Sequence, residues 1–241
     1  MTTTPDPPTA GRSSGLWLGI LARLAQVVFV FVLQAVLLFA CAGRIRWTWA
    51  WVYLGICLAS FGINGAILLR RSPETIAERG RPKEFRGWDI VLSTSWSLLA
   101  YLALPIVAGL DLRFGWSGTG SLAWHLTGAV ALAAGLGLGA WAMIANAFFS
   151  TVVRIQTDRG HAVCSSGPYA FVRHPGYVGF SLMVLATPLL LGSWWAEVPA
   201  VAATALLVVR TALEDGVLRA ELPGYGDYAR AVRYRLVPGI W

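Results

Sequence analysis

Long apolar blocks, separated by short polar segments, restrict this chain to a small set of folds. A helix that crosses a bilayer needs about 20 consecutive, mainly apolar residues. Four blocks reach that length and two are shorter; together they cover residues 16–40, 47–69, 88–110, 122–149, 177–192 and 198–213. Only 13% of the residues are charged, about half the share found in soluble domains. The sequence therefore predicts an all-α, polytopic integral membrane bundle with five to six transmembrane helices.

The polar segments divide the chain into three regions. Residues 1–15 are rich in Pro, Thr and Ser and are predicted to form a disordered N-terminal tail. Residues 16–87 are predicted to form a transmembrane hairpin and a basic cytoplasmic loop, because the turn at 43–46 is too short for anything but antiparallel neighbours. Residues 88–241 form the remaining membrane region. Its last two blocks are only 16 residues each, so we expect either a full crossing or a tilted, incomplete hairpin.

The distribution of basic residues predicts the orientation. Of the 19 Lys and Arg residues, 15 lie in the segments 1–15, 70–87, 150–176 and 210–241. Basic residues are enriched in cytoplasmic loops, so we expect these segments and both termini in the cytoplasm. The use of 18 Arg against one Lys is typical of a GC-rich bacterial genome and favours the bacterial cytoplasmic (inner) membrane.

The net charge of +7 does not indicate a nucleic-acid partner. The basic residues lie in short loops between apolar blocks, not in a stripe with base-reading side chains, so membrane lipids are the expected surroundings. The three cysteines fit no zinc or redox spacing, and no metal site is predicted.

A first candidate site is the segment 161–179, HAVCSSGPYAFVRHPGYVG. It concentrates groups that bind and orient ligands: His161, Tyr169, Arg173, His174 and Tyr177. A proline at the first helical position favours a helix start, which predicts that a helix begins at the proline after His174. The free N–H groups there favour an anionic ligand group. The alternative is that Arg173 and His174 are interfacial anchors that meet lipid phosphates.

A second candidate site is the segment 210–241. Glu214 and Asp215 are adjacent carboxylates at the cytoplasmic end of an apolar block, where they are costly unless they meet a cation or a polar ligand. The alternative is a solvated helix with local ion pairs between residues four positions apart. The tyrosines and tryptophan that follow form either an interface belt or a lid over a site.

The glycine pattern GLGLG at 135–139 is not interpreted as a dinucleotide-binding loop. It follows no strand and lies in the middle of an apolar block, where small residues allow helices to approach closely. We expect a tight helix–helix contact there.

These elements together resemble a known family. The pattern H-x5-G-P-Y-x3-R-H-P-x-Y-x-G, followed after about 35 mainly apolar residues by an acidic pair, is similar to the isoprenylcysteine carboxyl methyltransferases and the related phospholipid methyltransferases. The resemblance covers roughly residues 145–241 and identifies 88–241 as a methyltransferase-like membrane region. The residues that carry it are His161, Gly167, Pro168, Tyr169, Arg173, His174, Pro175, Tyr177, Gly179, Glu214 and Asp215.

The resemblance implies an enzyme with a cytoplasmic cofactor pocket. Its cofactor would be S-adenosyl-L-methionine, and its acceptor a lipophilic molecule: a prenylcysteine-like carboxylate, a lipid or another small apolar molecule. O-methylation is favoured over N-methylation.

The resemblance also implies roles for single residues. The implied cofactor-binding residues are His161, Gly167, Tyr169, His174, Tyr177, Glu214 and Asp215, and the implied catalytic residues are Arg173, His174 and Glu214. Arg173 is expected beside the acceptor and the transferred methyl group. The family usually has two glutamates at the acidic pair, and Asp215 departs from that pattern. Because its side chain is one methylene shorter, Asp215 reaches the cofactor through water or not at all.

Two other functions stay open at this point. Membrane reductases of the sterol reductase type share the R-H-P-x-Y region but bind a nicotinamide cofactor. A non-catalytic membrane protein that kept the fold is the third possibility.

Overall fold

The computed structural model describes residues 10–80, 86–118 and 120–241, with side chains from residue 14 onward, and this part of the chain contains helices and no strands. The helices are α1 (Ala10–Ala42), α2 (Thr48–Arg71), α3 (Pro73–Gly80), α4 (Gly87–Leu98), α5 (Leu104–Phe114), α6 (Leu122–Ala145), α7 (Pro175–Leu191), α8 (Glu197–Glu221) and α9 (Tyr225–Ala231). A π-helical turn, Leu99–Ala103, joins α4 to α5.

The predicted fold class, a polytopic helical membrane protein, is confirmed. Within the described residues, four helical segments are long and apolar enough to cross a membrane: Ser14–Ala42, Thr48–Arg71, Gly87–Phe114 and Leu122–Ala145. α7 is a shorter apolar helix, about 26 Å long at 1.5 Å per residue.

The structure differs from the expectations for the polar segments. α1 begins at Ala10, so residues 10–15 of the expected tail are helical, while residues 1–9 lie outside the described residues. The polar segment 70–87 contains the helix α3, which starts at Pro73, a residue suited to a first helical turn. Its residues 81–85 are not described.

Pro105 does not interrupt its apolar block. It lies in the first turn of α5, directly after the π turn. Proline has no N–H to donate within a helix. A π turn adds one residue to the helix, so the helix continues despite this missing hydrogen bond. The block therefore runs as one continuous helical segment from Gly87 to Phe114.

The predicted tight contact at the glycine pattern is confirmed. A Cβ atom placed on Gly179 of α7 would lie 2.7 Å from the backbone oxygen of Gly135 and 2.7 Å from the backbone nitrogen of Gly139 on α6. Backbones that approach this closely leave no room for a methyl group. We call this contact between α6 and α7 the glycine seam.

The polar segments meet at one end of the bundle. Gly80, at the end of α3, packs against the backbone of Gly19 and Arg23 on α1, and the start of α4 is joined to α8 by an ion pair between Asp89 and Arg210. The other end is held by different polar contacts, such as Ser193 Oγ donating to Asp111 Oδ2. Consequently, both candidate segments lie at the same end of the helices.

The glycine seam predicts that Gly179→Ala is destabilising. The added Cβ would meet backbone atoms that cannot rotate away, and overpacking of this kind costs about 1–3 kcal/mol. We expect a lower Tm for the purified protein in detergent. Gly137→Ala is the matched control, because nothing lies within 4 Å of its Cβ position; a Tm drop of the same size in the control would contradict the seam.

Candidate active site

A cavity of about 540 Å³ connects the polar end to the interior of the bundle, a volume within the usual range for small-molecule sites. Each of the helices α1 to α9 contributes residues to its wall. Its inner part is lined by Val27 and Val30 of α1, Trp96 and Leu104 near the π turn, and Val184 of α7. The outer part contains most of the candidate residues: His161, Tyr169, Arg173, His174, Tyr177 and Glu214. One space therefore joins an apolar interior to a polar end.

Glu214 and Tyr177 form the acidic edge of the cavity. The Tyr177 hydroxyl donates to Glu214 Oε2, and both side chains are half-buried and line the cavity. In the described part of the chain, Glu214 forms no ion pair with a basic side chain. Its carboxylate is therefore available to a cationic ligand group.

A buried ion pair holds this edge in place. Arg210 Nε donates to Asp89 Oδ1 at 2.8 Å, and Arg210 Nη2 donates to the carbonyl of Thr151 at 3.0 Å. Asp89 is fully buried and also accepts from the backbone N–H of Val153. The Arg210 guanidinium lies over the Tyr177 ring, 5.4 Å from its centre. The pair thereby joins α4, α8 and the segment after α6 around Tyr177.

Sequence reasoning missed this pair. Asp89 and Arg210 are 121 positions apart, so no local spacing connects them. The one available signal is an acidic residue, Asp89, in the first turn of an otherwise apolar block, since such a residue needs a partner.

Asp215 faces away from the cavity. It is fully buried and accepts from three guanidinium groups: Arg173 at 2.8 and 3.2 Å, Arg219 at 3.1 Å and Arg235 at 3.0 Å. The Tyr225 hydroxyl adds a further hydrogen bond at 2.9 Å. The carboxylate of Asp215 is therefore used within the protein, and we call this group of residues the Asp215 hub.

Arg173 anchors the C-terminal segment. Its Nη1 donates to the carbonyls of Val232 at 2.8 Å and Arg233 at 2.7 Å, and its backbone N–H donates to the carbonyl of Tyr234. The guanidinium is buried and fully engaged, although its surface forms part of the cavity wall. That Arg173 lies beside the acceptor stays a prediction. Its contacts indicate that Arg173 positions the C-terminal segment.

His161 presents one nitrogen to the cavity. Its Nδ1 accepts from the backbone N–H of Gln156 at 3.2 Å, which places the ring proton on Nε2. Burial lowers the pKa of His161, and the nearby Arg154 and Arg159 lower it further. The ring is therefore neutral at physiological pH and offers an Nε2–H donor to a ligand.

His174 and Tyr169 also line the cavity. His174 precedes α7, as predicted, and its ring stacks near Tyr177 with centres 5.9 Å apart. Its Nε2 lies 3.4 Å from the Tyr225 hydroxyl. Burial raises the pKa of the Tyr169 hydroxyl, which keeps it protonated.

Gly167 is not part of the cavity wall. Its φ of +60° lies in the left-handed region, and a Cβ there would come within 3.2 Å of Trp141 and Ala145 on α6. The glycine is explained by this turn and its close approach to α6.

Unpaired polar atoms concentrate on the cavity. Of the five buried side-chain polar atoms without a hydrogen-bond partner in the described residues, four belong to side chains that line it: Asn64 Oδ1, Arg79 Nη1, Trp96 Nε1 and Arg154 Nε. Buried polar atoms are normally paired. The cavity is therefore matched to a ligand with polar groups of its own. No local sequence pattern marks these four side chains as part of a site.

The hub predicts that Asp215→Asn is strongly destabilising. Removing one member of a buried ion pair costs about 3–5 kcal/mol, and three guanidinium groups would lose their counter-charge. We expect a lower Tm and faster proteolysis of residues 222–241. Asp227→Asn is the control, since its pair with Arg230 is exposed and should contribute little. An unchanged Tm in Asp215→Asn would refute the hub.

The lowered pKa of His161 predicts a pH effect on stability. Because folding favours the neutral ring, its contribution is complete above the unfolded pKa of about 6.5 and is lost as pH falls through the folded pKa. We expect the Tm difference between wild type and His161→Gln to shrink as pH is lowered from 7.5 to 5. A difference that grows toward acid pH would contradict this.

Comparisons with known proteins support the family resemblance of the sequence. Residues 129–220 match the model of the Isoprenylcysteine carboxyl methyltransferase (ICMT) family. A stretch of 46 residues is 44% identical to Protein-S-isoprenylcysteine O-methyltransferase of Schizosaccharomyces pombe (strain 972 / ATCC 24843). That match covers 19% of this chain and 20% of the yeast protein, so the chain matches about a fifth of the length of this curated relative. Residues 129–220, which include every candidate residue from His161 to Asp215, are therefore similar to that family.

Proposed function

We propose that this protein is an S-adenosyl-L-methionine-dependent methyltransferase that methylates a lipophilic acceptor at the cytoplasmic face of the membrane. The observation that carries the proposal is the carboxylate of Glu214, which accepts from Tyr177, forms no ion pair within the described residues and lines a cavity that continues into the apolar interior. The similarity to a methyltransferase family over residues 129–220 supports it.

The residues at the polar end fit the cofactor. The cofactor is a zwitterion, and Glu214 would pair with its ammonium group. The start of α7 would receive its carboxylate, because helix N-termini favour anions. His161 would donate from Nε2, and the aromatic faces of Tyr169 and Tyr177 would lie against the sulfonium. When bound, the cofactor supplies an electrophilic methyl group on sulfur.

The chain's contribution to the reaction is mainly positioning. Methyl transfer is an in-line displacement, so holding acceptor and methyl group in contact accounts for most of the rate. The Arg210–Asp89 pair fixes Tyr177, and the Asp215 hub fixes the helix that carries Glu214. In this proposal Arg173 and Asp215 act by positioning, while His174 and Glu214 contact the reactants.

The acceptor is proposed to be a carboxylate, which makes the reaction an O-methylation. A carboxylate needs no base, whereas an ammonium must first lose a proton. The name of the yeast relative, an O-methyltransferase, supports this choice. We further propose that the protein lies in a bacterial cytoplasmic membrane with both termini in the cytoplasm, following the basic residues.

The proposal predicts that Glu214→Gln weakens cofactor binding by about tenfold or more, because a charge-assisted hydrogen bond is lost. Tyr177→Phe should weaken it less. Binding of S-adenosyl-L-methionine to purified protein measures both. Glu221→Gln, at the exposed end of the same helix, is the control and should bind as wild type does.

Membranes supplied with methyl-labelled cofactor test the reaction itself. We expect label in a lipid-extractable product that releases methanol in alkali, as a carboxyl methyl ester does. Base-stable label is the result expected for N-methylation. If the protein does not bind S-adenosyl-L-methionine and its membranes oxidise NADPH, the protein is a membrane reductase and the proposal is wrong.

A further inference from the structure

The charges on the cavity wall do not balance. Five arginines line it: Arg23, Arg79, Arg154, Arg173 and Arg210. Three of them pair with carboxylates, namely Glu78, Asp215 and Asp89. Among the described residues, Arg23 and Arg79 have no carboxylate partner. In the part of the chain that the structure describes, the cavity wall thus has two cations without a carboxylate partner and one acid, Glu214, without a basic partner.

Arg79 is the less solvated of the two. Its Nη1 is buried and makes no hydrogen bond. Its guanidinium lies against the Phe149 ring, 5.2 Å from the centre. Burial and, to a smaller extent, the charge of Arg23 lower the pKa of Arg79 to about 9. An unpaired guanidinium in such a place is unfavourable until an anion reaches it.

Arg23 lies beside Arg79. The end of α3 packs directly on α1, since a Cβ on Gly80 would lie 2.8 Å from the backbone nitrogen of Arg23. Arg23 Nη1 donates to the neutral side-chain oxygen of Gln26 at 3.2 Å, and no carboxylate in the described ranges pairs with it. Ile20, Leu24 and Val27 of α1 continue the cavity wall on either side of Arg23. The two guanidinium groups therefore lie next to an apolar surface.

We propose that Arg79 and Arg23 form an anion site that binds the carboxylate of the acceptor, and that they make this protein selective for lipophilic carboxylic acids. This inference rests on the proposed methyltransferase function. Guanidinium groups bind carboxylates in a fixed, directional geometry. Both residues lie outside 129–220, so the N-terminal helices supply the acceptor's partner and the matched region supplies the cofactor's.

The site gives each reactant a separate charge partner. Glu214 takes the ammonium of the cofactor, while Arg79 and Arg23 hold the acceptor anion. Arg79 lies against the Phe149 ring, which also meets Gly176, the residue before Tyr177, so Arg79 and the Tyr177–Glu214 edge line the same end of the cavity.

The reaction then removes the charge that Arg79 recognises. The carboxylate oxygen forms a bond to the methyl carbon, and the carbon–sulfur bond breaks with its electron pair remaining on sulfur. The products are a neutral methyl ester and a neutral thioether, and no proton moves. Because the ester carries no charge, Arg79 and Arg23 bind it weakly, so the site favours substrate over product.

Binding of matched amphiphiles to the full-length protein tests the site without relying on activity. The probes are N-acetyl-S-farnesylcysteine, its carboxamide and its methyl ester, with oleate and oleamide as a second pair. We expect wild type to prefer the acid. Arg79→Gln should raise the Kd of the acid about tenfold or more and leave the carboxamide within about twofold, the loss expected for one charge-assisted contact. Arg79→Lys should retain part of the preference.

Two controls separate this site from other roles of Arg79. Arg71→Gln removes an exposed charge near the same end of the bundle and should not alter the preference. The Kd of S-adenosyl-L-methionine should stay unchanged in Arg79→Gln; a rise would assign Arg79 to the cofactor carboxylate and overturn the inference. Equal weakening of acid and carboxamide would indicate a structural role and overturn it as well.

Two further results would refute the inference. One is the absence of acid preference in wild type for both probe pairs. The other is tighter binding of farnesyl phosphate than of N-acetyl-S-farnesylcysteine. Neither result refutes S-adenosyl-L-methionine-dependent methyl transfer, which is tested separately by cofactor binding and by transfer of label to a lipid-extractable product.

Discussion

The buried carboxylate of Asp215 is the interaction on which the rest of the site depends. It forms ion pairs with Arg173, Arg219 and Arg235, which approach from three parts of the chain. Because Arg173 also binds carbonyls after α9, the C-terminal segment is tied to the start of α7. A buried charge is tolerated only with such a full set of partners. The hub therefore fixes the ends of α7 and α8, and with them His174, Tyr177 and Glu214.

The adjacent carboxylates Glu214 and Asp215 lie on one helix but have different surroundings. Successive residues of an α-helix point about 100° apart, so Glu214 and Asp215 cannot face the same space. Asp215 is turned into the hub, and Glu214 lies on the cavity beside Tyr177. The shorter side chain at 215 suits this arrangement, because its oxygens reach guanidinium groups that are already close. The departure from the family's second glutamate thus has a structural explanation.

The structural features that were predicted correctly from the sequence are those that depend on local sequence patterns. Apolar block length predicted the spans, proline predicted the start of α7, and the glycine pattern predicted the seam with Gly179. It also brought the segments around His161 and Glu214 to one cavity, because a helical hairpin connects them.

Contacts between residues far apart in the chain could not be predicted from local sequence patterns. The sequence around Asp89 does not indicate that Asp89 pairs with Arg210. No sequence pattern distinguishes Arg79 from the other arginines of the segment 70–87. A short polar helix such as α3 has no apolar block to mark it, since it is held by packing against α1. These features are set by which helices meet, and a single sequence does not encode that in its local pattern.

The glycine seam has a consequence for how a membrane-dissolved acceptor reaches the cavity. At the seam the backbones of α6 and α7 are in contact, and the Arg210–Asp89 pair joins α8 to α4. Leu24 of α1 and Phe61 and Leu69 of α2 also line the cavity, and they are 56%, 40% and 46% exposed. The wall that α1 and α2 contribute is therefore apolar and accessible. Under the proposed function, a lipophilic acceptor would reach the cavity along this wall, from the bilayer and not through water.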